Sequence, residues 1–247
     1  MQVPTHTIGD CKLINGCALD LLTGPELNLE FDSVYADPPY GVFLGEKSSG
    51  SKYSKKSGYN GLRDTPDYVE QFCVPIIEHC IENAKCVLCT PGNRNKYFYP
   101  LPDDEGVWWN PAGTSTGKWG FQCVVTPLYF YGKDPYGGKG RYPSSPVGIA
   151  ASREKVDWHP CPKPLSFMQW VVKRISLEGQ TILDPFMGSG TTAIACLKSK
   201  RKFIGIERDP EYFRQACYRI EDLIESDLFL KSNGPESPSL FEPVEGE

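Results

Sequence analysis

The chain has 247 residues, 40% of them hydrophobic and 23% charged, with a formal net charge of −5. That length buries a core for one globular domain, or at most two small ones. No apolar run approaches the ~20 residues that cross a bilayer, and residues 1–10 lack the charged start and apolar centre of a signal peptide, so membrane, collagenous and wholly disordered classes are excluded and a cytoplasmic protein is expected.

In chain order, residues 31–36 form a β-rich run that stops at Asp37-Pro38-Pro39-Tyr40, where two prolines forbid a continued ladder. Residues 47–63 then carry Lys47, Lys52, Lys55, Lys56 and Arg63 with no acid, interleaved with Tyr53 and Tyr59. A basic, aromatic, glycine-containing stretch suits a loop laid against a phosphate backbone, or more plainly a solvated surface loop. Residues 67–83 place apolar side chains at helical spacing, with a kink expected at Pro75. Residues 85–90 read as a short strand before a Pro-Gly turn. That strand holds the one CxxC, Cys86-Val87-Leu88-Cys89, whose two thiols would point to opposite faces and so not share a metal. The ten cysteines as a set read as reduced core thiols, and the three histidines, His6, His79 and His159, are far apart, so no metal site is expected.

Residues 121–131 are a further extended, aromatic-rich stretch. The last third alternates: a helix over 165–177, a strand over 181–184, a glycine-rich turn, a helix over 191–199, a strand over 203–207 and a helix over 210–228. This rhythm predicts parallel strands with covering helices. From Ser232 the chain is polar and proline-rich, and is expected to be disordered. Residues 221–247 hold eight acids and one base, which leaves residues 1–220 with 25 basic and 23 acidic side chains. The acidic average therefore does not exclude a nucleic-acid partner.

The segment Leu183-Asp184-Pro185-Phe186-Met187-Gly188-Ser189-Gly190-Thr191-Thr192 ends a strand in a carboxylate, turns on glycines and opens a helix. Glycines admit a ligand to the backbone and a helix start offers unpaired amide donors. No Lys follows Gly190, so it is not a phosphate-binding Walker loop. Some twenty residues on, Glu207 ends the next strand, placed to accept both ribose hydroxyls of a nucleoside. Asp184 would repel a pyrophosphate and attract an amino-acid ammonium, which points to S-adenosylmethionine rather than NAD.

Asp37-Pro38-Pro39-Tyr40 together with the 184–192 loop resembles the amino-methylating DNA methyltransferases, which modify the N6 of adenine or the N4 of cytosine. The order, tetrapeptide first and cofactor loop last, resembles their circularly permuted β group. Trp158-His159-Pro160-Cys161-Pro162-Lys163-Pro164 is similar to the family's H-P-x-x-K-P element, and Phe203-Ile204-Gly205-Ile206-Glu207-Arg208 adds a fourth match. The likeness covers about residues 7–225.

The resemblance implies an α/β, Rossmann-like methyltransferase fold: a central, mostly parallel sheet with helices on both faces, in circularly permuted order. It implies a single domain over 1–231, with a catalytic half at about 7–131, a short target-recognition insert at about 132–156, a cofactor half at about 158–228, and a tail over 232–247. It gives catalysis to the tetrapeptide. An exocyclic amine is conjugated with its ring, and acceptors at the Asp37 carboxylate and Pro38 carbonyl favour the pyramidal form that can attack a methyl group. Pro39 stiffens the turn, and Tyr40 stacks on the extruded base. It gives S-adenosylmethionine to Asp184, Pro185, Phe186, Gly188, Ser189, Gly190, Thr191 and Glu207, with Lys163 near its methionine carboxylate. Topology asks for one more strand beyond Glu207, and residues 7–11 fit a short strand ending in an acid; the resemblance then gives Asp10 the task of accepting a hydrogen bond from the cofactor's adenine amine. Lys139 and Arg141 join the 47–63 bases as nucleic-acid contacts.

The Asp form of the tetrapeptide is typical of adenine-N6 members. Cytosine-N4 methylation of DNA, N6-adenine methylation of RNA and a catalytically inactive nucleic-acid-binding module are the competing readings. Double-stranded DNA is the expected partner, with the chain as monomer or homodimer, and Leu240-Phe241 in the tail resembles peptides that dock into sliding clamps.

Overall fold

The computed structural model describes residues 3–25, 27–41, 65–109, 115–116, 122–123, 125–139, 156–159 and 161–233. Lys47, Lys52, Lys55, Lys56, Arg63, Arg141, Leu240 and Phe241 lie outside them.

The centre is an eight-stranded sheet in the order β1-β2-β10-β9-β3-β4-β8-β5. The strands are β1 (Thr5–Ile8), β2 (Cys11–Asn15), β3 (Ser33–Ala36), β4 (Cys86–Cys89), β5 (Asp104–Trp109), β8 (Val125–Gly132), β9 (Thr181–Asp184) and β10 (Lys202–Glu207). Strands β2, β10, β9, β3 and β4 run parallel; β1 is antiparallel to β2, and β8 is antiparallel to both β4 and β5. The short strands β6 (Ser115–Thr116) and β7 (Gln122–Cys123) pair separately. The expected α/β architecture is therefore present.

Both faces of the sheet are covered, which is why its central strands are continuously apolar rather than alternating. Successive residues divide between two cores. Leu13, Tyr35, Leu88, Ile182 and Phe203 pack under α4 (Leu165–Ile175), α5 (Thr191–Lys198) and α6 (Pro210–Asn233). Ile14, Val34, Val87, Leu183 and Ile204 pack under α1 (Ala18–Thr23) and α3 (Val74–Asn83). Cys86 falls in the first core and Cys89 in the second, as strand periodicity requires.

Three local readings change. The helix read over 67–83 is divided: Thr65 caps α2 (Pro66–Tyr68) by accepting from the Tyr68 N–H at 3.2 Å, a π-helical turn spans Val69–Cys73, and α3 follows. Pro75 offers no N–H and crowds the preceding turn, so the chain widens there instead of merely bending. The strand read over 7–11 is a hairpin. Ile8 pairs with Cys11, so Gly9-Asp10 is its two-residue turn, and the strand that continues the sheet is β2, beginning at Cys11. The edge strand β5 carries polar and apolar residues without clear alternation and was not legible as a strand.

Candidate active site

Parallel strands deliver their loops to one edge of the sheet, and the crevice beyond their carboxyl ends is where such folds bind ligands. Here one pocket lies at that edge. It is lined by Asp37, Pro38, Pro39 and Tyr40 after β3, Asp184 to Ser189 and Thr191 after β9, Glu207 to Asp209 after β10, and Gly16 to Leu19 after β2, with Lys163 and His159 closing it from the segment before α4. The tetrapeptide and the glycine-rich loop, 147 positions apart, thus face one space.

The cofactor-side loop is held largely by its own backbone. Asp184 accepts from the Phe186 N–H at 2.9 Å and the Thr192 hydroxyl at 2.6 Å. Glu207 accepts from the Gly188 N–H at 2.8 Å and the Asp209 N–H at 2.8 Å. Burial pushes both acids up to about 7, against the lowering effect of those hydrogen bonds. Gly188 has φ +52°, and a Cβ there would stand 2.9 Å from His159 Nε2, so the loop needs glycine both for its turn and for the closeness of the imidazole. Gly190 does not line the pocket. It caps α5 at φ +74°, and its missing Cβ lets α5 approach Ala216 and Ile220 of α6. Ser189 and Thr191 share a hydroxyl contact of 3.0 Å, and Arg219 donates to the Ser189 carbonyl at 2.7 Å.

The tetrapeptide side is held by side chains, one its own and the others from distant segments. Asp37 Oδ1 accepts from the Tyr40 hydroxyl at 2.7 Å and the Thr90 hydroxyl at 2.5 Å, while Oδ2 pairs with the Lys163 ammonium. Burial opposes the charge on Lys163, but the Asp37 carboxylate more than offsets this and raises it well above the ordinary lysine value. Burial and then the Asp37 charge keep the Tyr40 phenol protonated, hence a donor. Asn95 donates to the Tyr40 carbonyl at 2.7 Å and the Gly41 carbonyl at 3.3 Å, pinning the turn after the prolines. His159 is pushed down to about 4, by burial first and the Lys163 charge second, so it is a neutral imidazole at pH 7.

Two expected residues stand away from the pocket. Asp10 lies in the β1–β2 turn, at the start of β2 and so at the edge of the sheet opposite the pocket. The residues at the carboxyl end of β2 that do reach the pocket are Gly16 and Cys17. Lys139 is exposed in the turn after β8, and β8 ends beside the start of β4, again at the opposite edge. Lys163 is in the pocket, but against Asp37 rather than standing alone. Tyr68, Phe72 and Ile76 of the 66–83 helical segment and Tyr212 of α6 also line it. Amphipathic spacing flagged Phe72 and Ile76, but it does not separate a pocket wall from a core, and nothing flagged Tyr68 or Tyr212.

The acids, the glycine approach and the apolar walls form a donor and acceptor set that fits an adenosyl ligand carrying an amino-acid group. Residues 107–217 match the family model described as DNA methylase. The Type II methyltransferase M.BglI of Bacillus subtilis is 44% identical over 70 residues, which is 28% of this chain and 20% of that protein. The DNA adenine methyltransferase YhdJ of Escherichia coli (strain K12) is 40% identical over 63 residues, 26% of this chain and 21% of that protein. The matched segments thus span about a fifth of the length of these relatives. Among solved structures, the M1.HpyAVI–SAM complex superposes with a TM-score of 0.62 at 20% identity, covering 85% of this chain and 98% of that one. The cytosine-N4-specific PvuII DNA methyltransferase superposes with a TM-score of 0.64 at 16% identity, covering 95% and 96%. At these identities the likeness is one of fold.

Proposed function

We propose that this chain, whose residues 107–217 match the DNA methylase family model, is an S-adenosylmethionine-dependent DNA methyltransferase acting on the N6 amine of adenine. The observation that carries this reading is the meeting of Asp37 with Asp184 and Glu207 in one pocket.

When bound, S-adenosylmethionine supplies an electrophilic methyl group. Glu207, braced by two amides, is positioned to accept ribose hydroxyls, and Asp184 to neutralise the ammonium. The Asp37 carboxylate has its Oδ1 engaged by Tyr40 and Thr90 and its Oδ2 paired with Lys163. An ionised carboxylate accepts from the target amine and favours the pyramidal nitrogen. The Pro38 carbonyl is the second acceptor of this proposal, and the Tyr40 ring the stacking face. Chemistry of this kind needs positioning more than acid–base strength. The 47–63 bases are proposed to hold the DNA backbone.

Adenine is supported by the Asp form of the tetrapeptide and by the name of the YhdJ relative. The competing reading, N4 of cytosine, takes its support from the fold shared with the PvuII enzyme. The deciding experiment is transfer of a labelled methyl group to unmethylated DNA and to RNA, with the modified nucleosides identified and Asp37→Ala in parallel. N6-methyladenine in DNA, lost in Asp37→Ala, is the expected result. N4-methylcytosine, or label in RNA alone, overturns the substrate.

A further inference from the structure

Resting on that reading, we propose that Thr90, oriented by Tyr35, is a positioning residue for the transfer step. It would fix which oxygen of Asp37 is offered to the target amine.

Thr90 follows β4 and is fully buried. Its N–H donates to the Ala36 carbonyl at 2.9 Å, which locks its backbone to the end of β3, one residue before Asp37. Its single hydroxyl proton has two acceptors in reach, Asp37 Oδ1 at 2.5 Å and the Ala36 carbonyl at 3.3 Å. The shorter contact is to a charged oxygen, and charge-assisted hydrogen bonds are the stronger kind. The proton therefore lies on the Asp37 side. The Tyr35 hydroxyl stands 3.5 Å from Thr90 Oγ1 on the remaining side. Tyr35 is 1% exposed, and burial followed by the nearby Asp37 charge raises its phenol well above the ordinary value, so it keeps its proton and donates. A donor behind Thr90 leaves Thr90 free to donate forward.

The result is a buried hydroxyl chain, Tyr35 to Thr90 to Asp37. Rotation of the carboxylate about its Cβ–Cγ bond would exchange Oδ1 and Oδ2. Two hydroxyl donors on Oδ1 and one ammonium on Oδ2 oppose that rotation. Of the two hydroxyls on Oδ1, the Tyr40 one belongs to a ring proposed to touch the base, whereas Thr90 is sealed in the protein. Thr90 thus acts through Asp37 and the Tyr40 hydroxyl beside it.

The test is steady-state methyl transfer to DNA by wild type, Thr90→Val, Thr90→Ser and Tyr35→Phe, with the dissociation constant for S-adenosylhomocysteine measured for each. Thr90→Val keeps the shape and deletes the hydroxyl. It is expected to lower kcat by about 10–100-fold while KM for DNA and the S-adenosylhomocysteine constant stay within about threefold. Thr90→Ser restores kcat to within about threefold, and Tyr35→Phe lowers it by less than Thr90→Val does. Wild-type kcat in Thr90→Val overturns the proposal, as does a Thr90→Ser no better than Thr90→Val. So does an S-adenosylhomocysteine constant that weakens in step with kcat. Should Thr90→Val not fold, a wild-type kcat in Tyr35→Phe overturns it, and a lower kcat in Tyr35→Phe at constant KM supports it. A wild type that binds S-adenosylhomocysteine yet methylates neither DNA nor RNA overturns the parent reading as well, and is told apart by the wild-type arm alone.

Discussion

Two sets of carboxylates face the same pocket and are held in opposite ways. Asp184 and Glu207 are gripped by amides of their own and neighbouring loops, from Phe186, Gly188 and Asp209. Asp37 is gripped by three side chains, Tyr40 of its own turn and Thr90 and Lys163 from far along the chain. Amide donors cannot leave without unfolding the loop, so the first pair is fixed in place, and under the proposed function it is the cofactor's mould. Hydroxyl and ammonium donors are adjustable one by one. That suits a carboxylate whose task is to be aimed, and it makes Asp37 the group most easily misaligned by substitution.

The largest expected effect tests the aimed carboxylate. Asp37→Asn replaces an acceptor oxygen by an NH₂ that faces donors, and should lower methyl transfer by about 10²–10³-fold, the scale of losing one organised electrostatic contact. S-adenosylhomocysteine binding, followed by calorimetry, should be nearly unchanged; a matching loss there would dissolve the contrast between the two sets. Glu207→Gln tests the mould from the other side. A charged hydrogen bond contributes about 1.5–3 kcal/mol, so S-adenosylhomocysteine should bind about 10–100-fold more weakly, with kcat at saturating cofactor much less affected.

The pH dependence separates the sets without mutation. Burial pushes Asp184 and Glu207 up to about 7, and under the proposed function their ionised forms accept the cofactor's donors. Cofactor affinity measured in equilibrium titrations should therefore fall as pH drops through about 7. The sign reverses for stability without cofactor. Folded-state values above those of an unfolded acid mean that the folded protein binds more protons, so this contribution is full below about pH 4 and is lost as pH rises to about 7. Glu207→Gln should flatten that part of the melting profile.

Smaller effects follow. Gly188→Ala sets a Cβ 2.9 Å from His159 Nε2 at a positive φ, and should destabilise by about 1–3 kcal/mol in denaturant unfolding. Lys85→Ala removes an ion pair to Asp32 whose lysine side chain is 72% exposed; the change should stay within about 1 kcal/mol. A larger loss there would mean that the exposed pair stabilises more than such pairs do.

The mould was legible in the sequence because it is local. Strand, acid, glycine turn and helix follow one another over residues 181–192, and each amide donor lies within a loop or at the next strand end. The aim of Asp37 was not legible. Thr90 read only as the end of a strand, Asn95 gave no signal, and the Lys163 contact spans 126 positions of chain. Asp10 misled for a different reason. A period of two identifies a strand but not its direction of entry to the sheet. An acid beside an apolar run looks the same at its start as at its end, and the Gly9-Asp10 turn set it at the start. The π-helical turn before Pro75 was foreshadowed only as a kink, since the sequence marks where a helix must yield but not whether it bends or widens.

The strand order has a consequence for how the chain acquires its structure. Strands β2 and β3 are separated in sequence by a short helix and loop, yet in the sheet two strands stand between them, β10 and β9, both made from the last third of the chain. During synthesis the N-terminal segment emerges with a gap it cannot close. Its two flanks must wait for the insertion of strands more than 140 residues downstream, and such high contact order predicts slow, late closure. A polypeptide cut between β8 and α4 should accordingly yield two pieces that are unstructured apart and regain the sheet only when mixed.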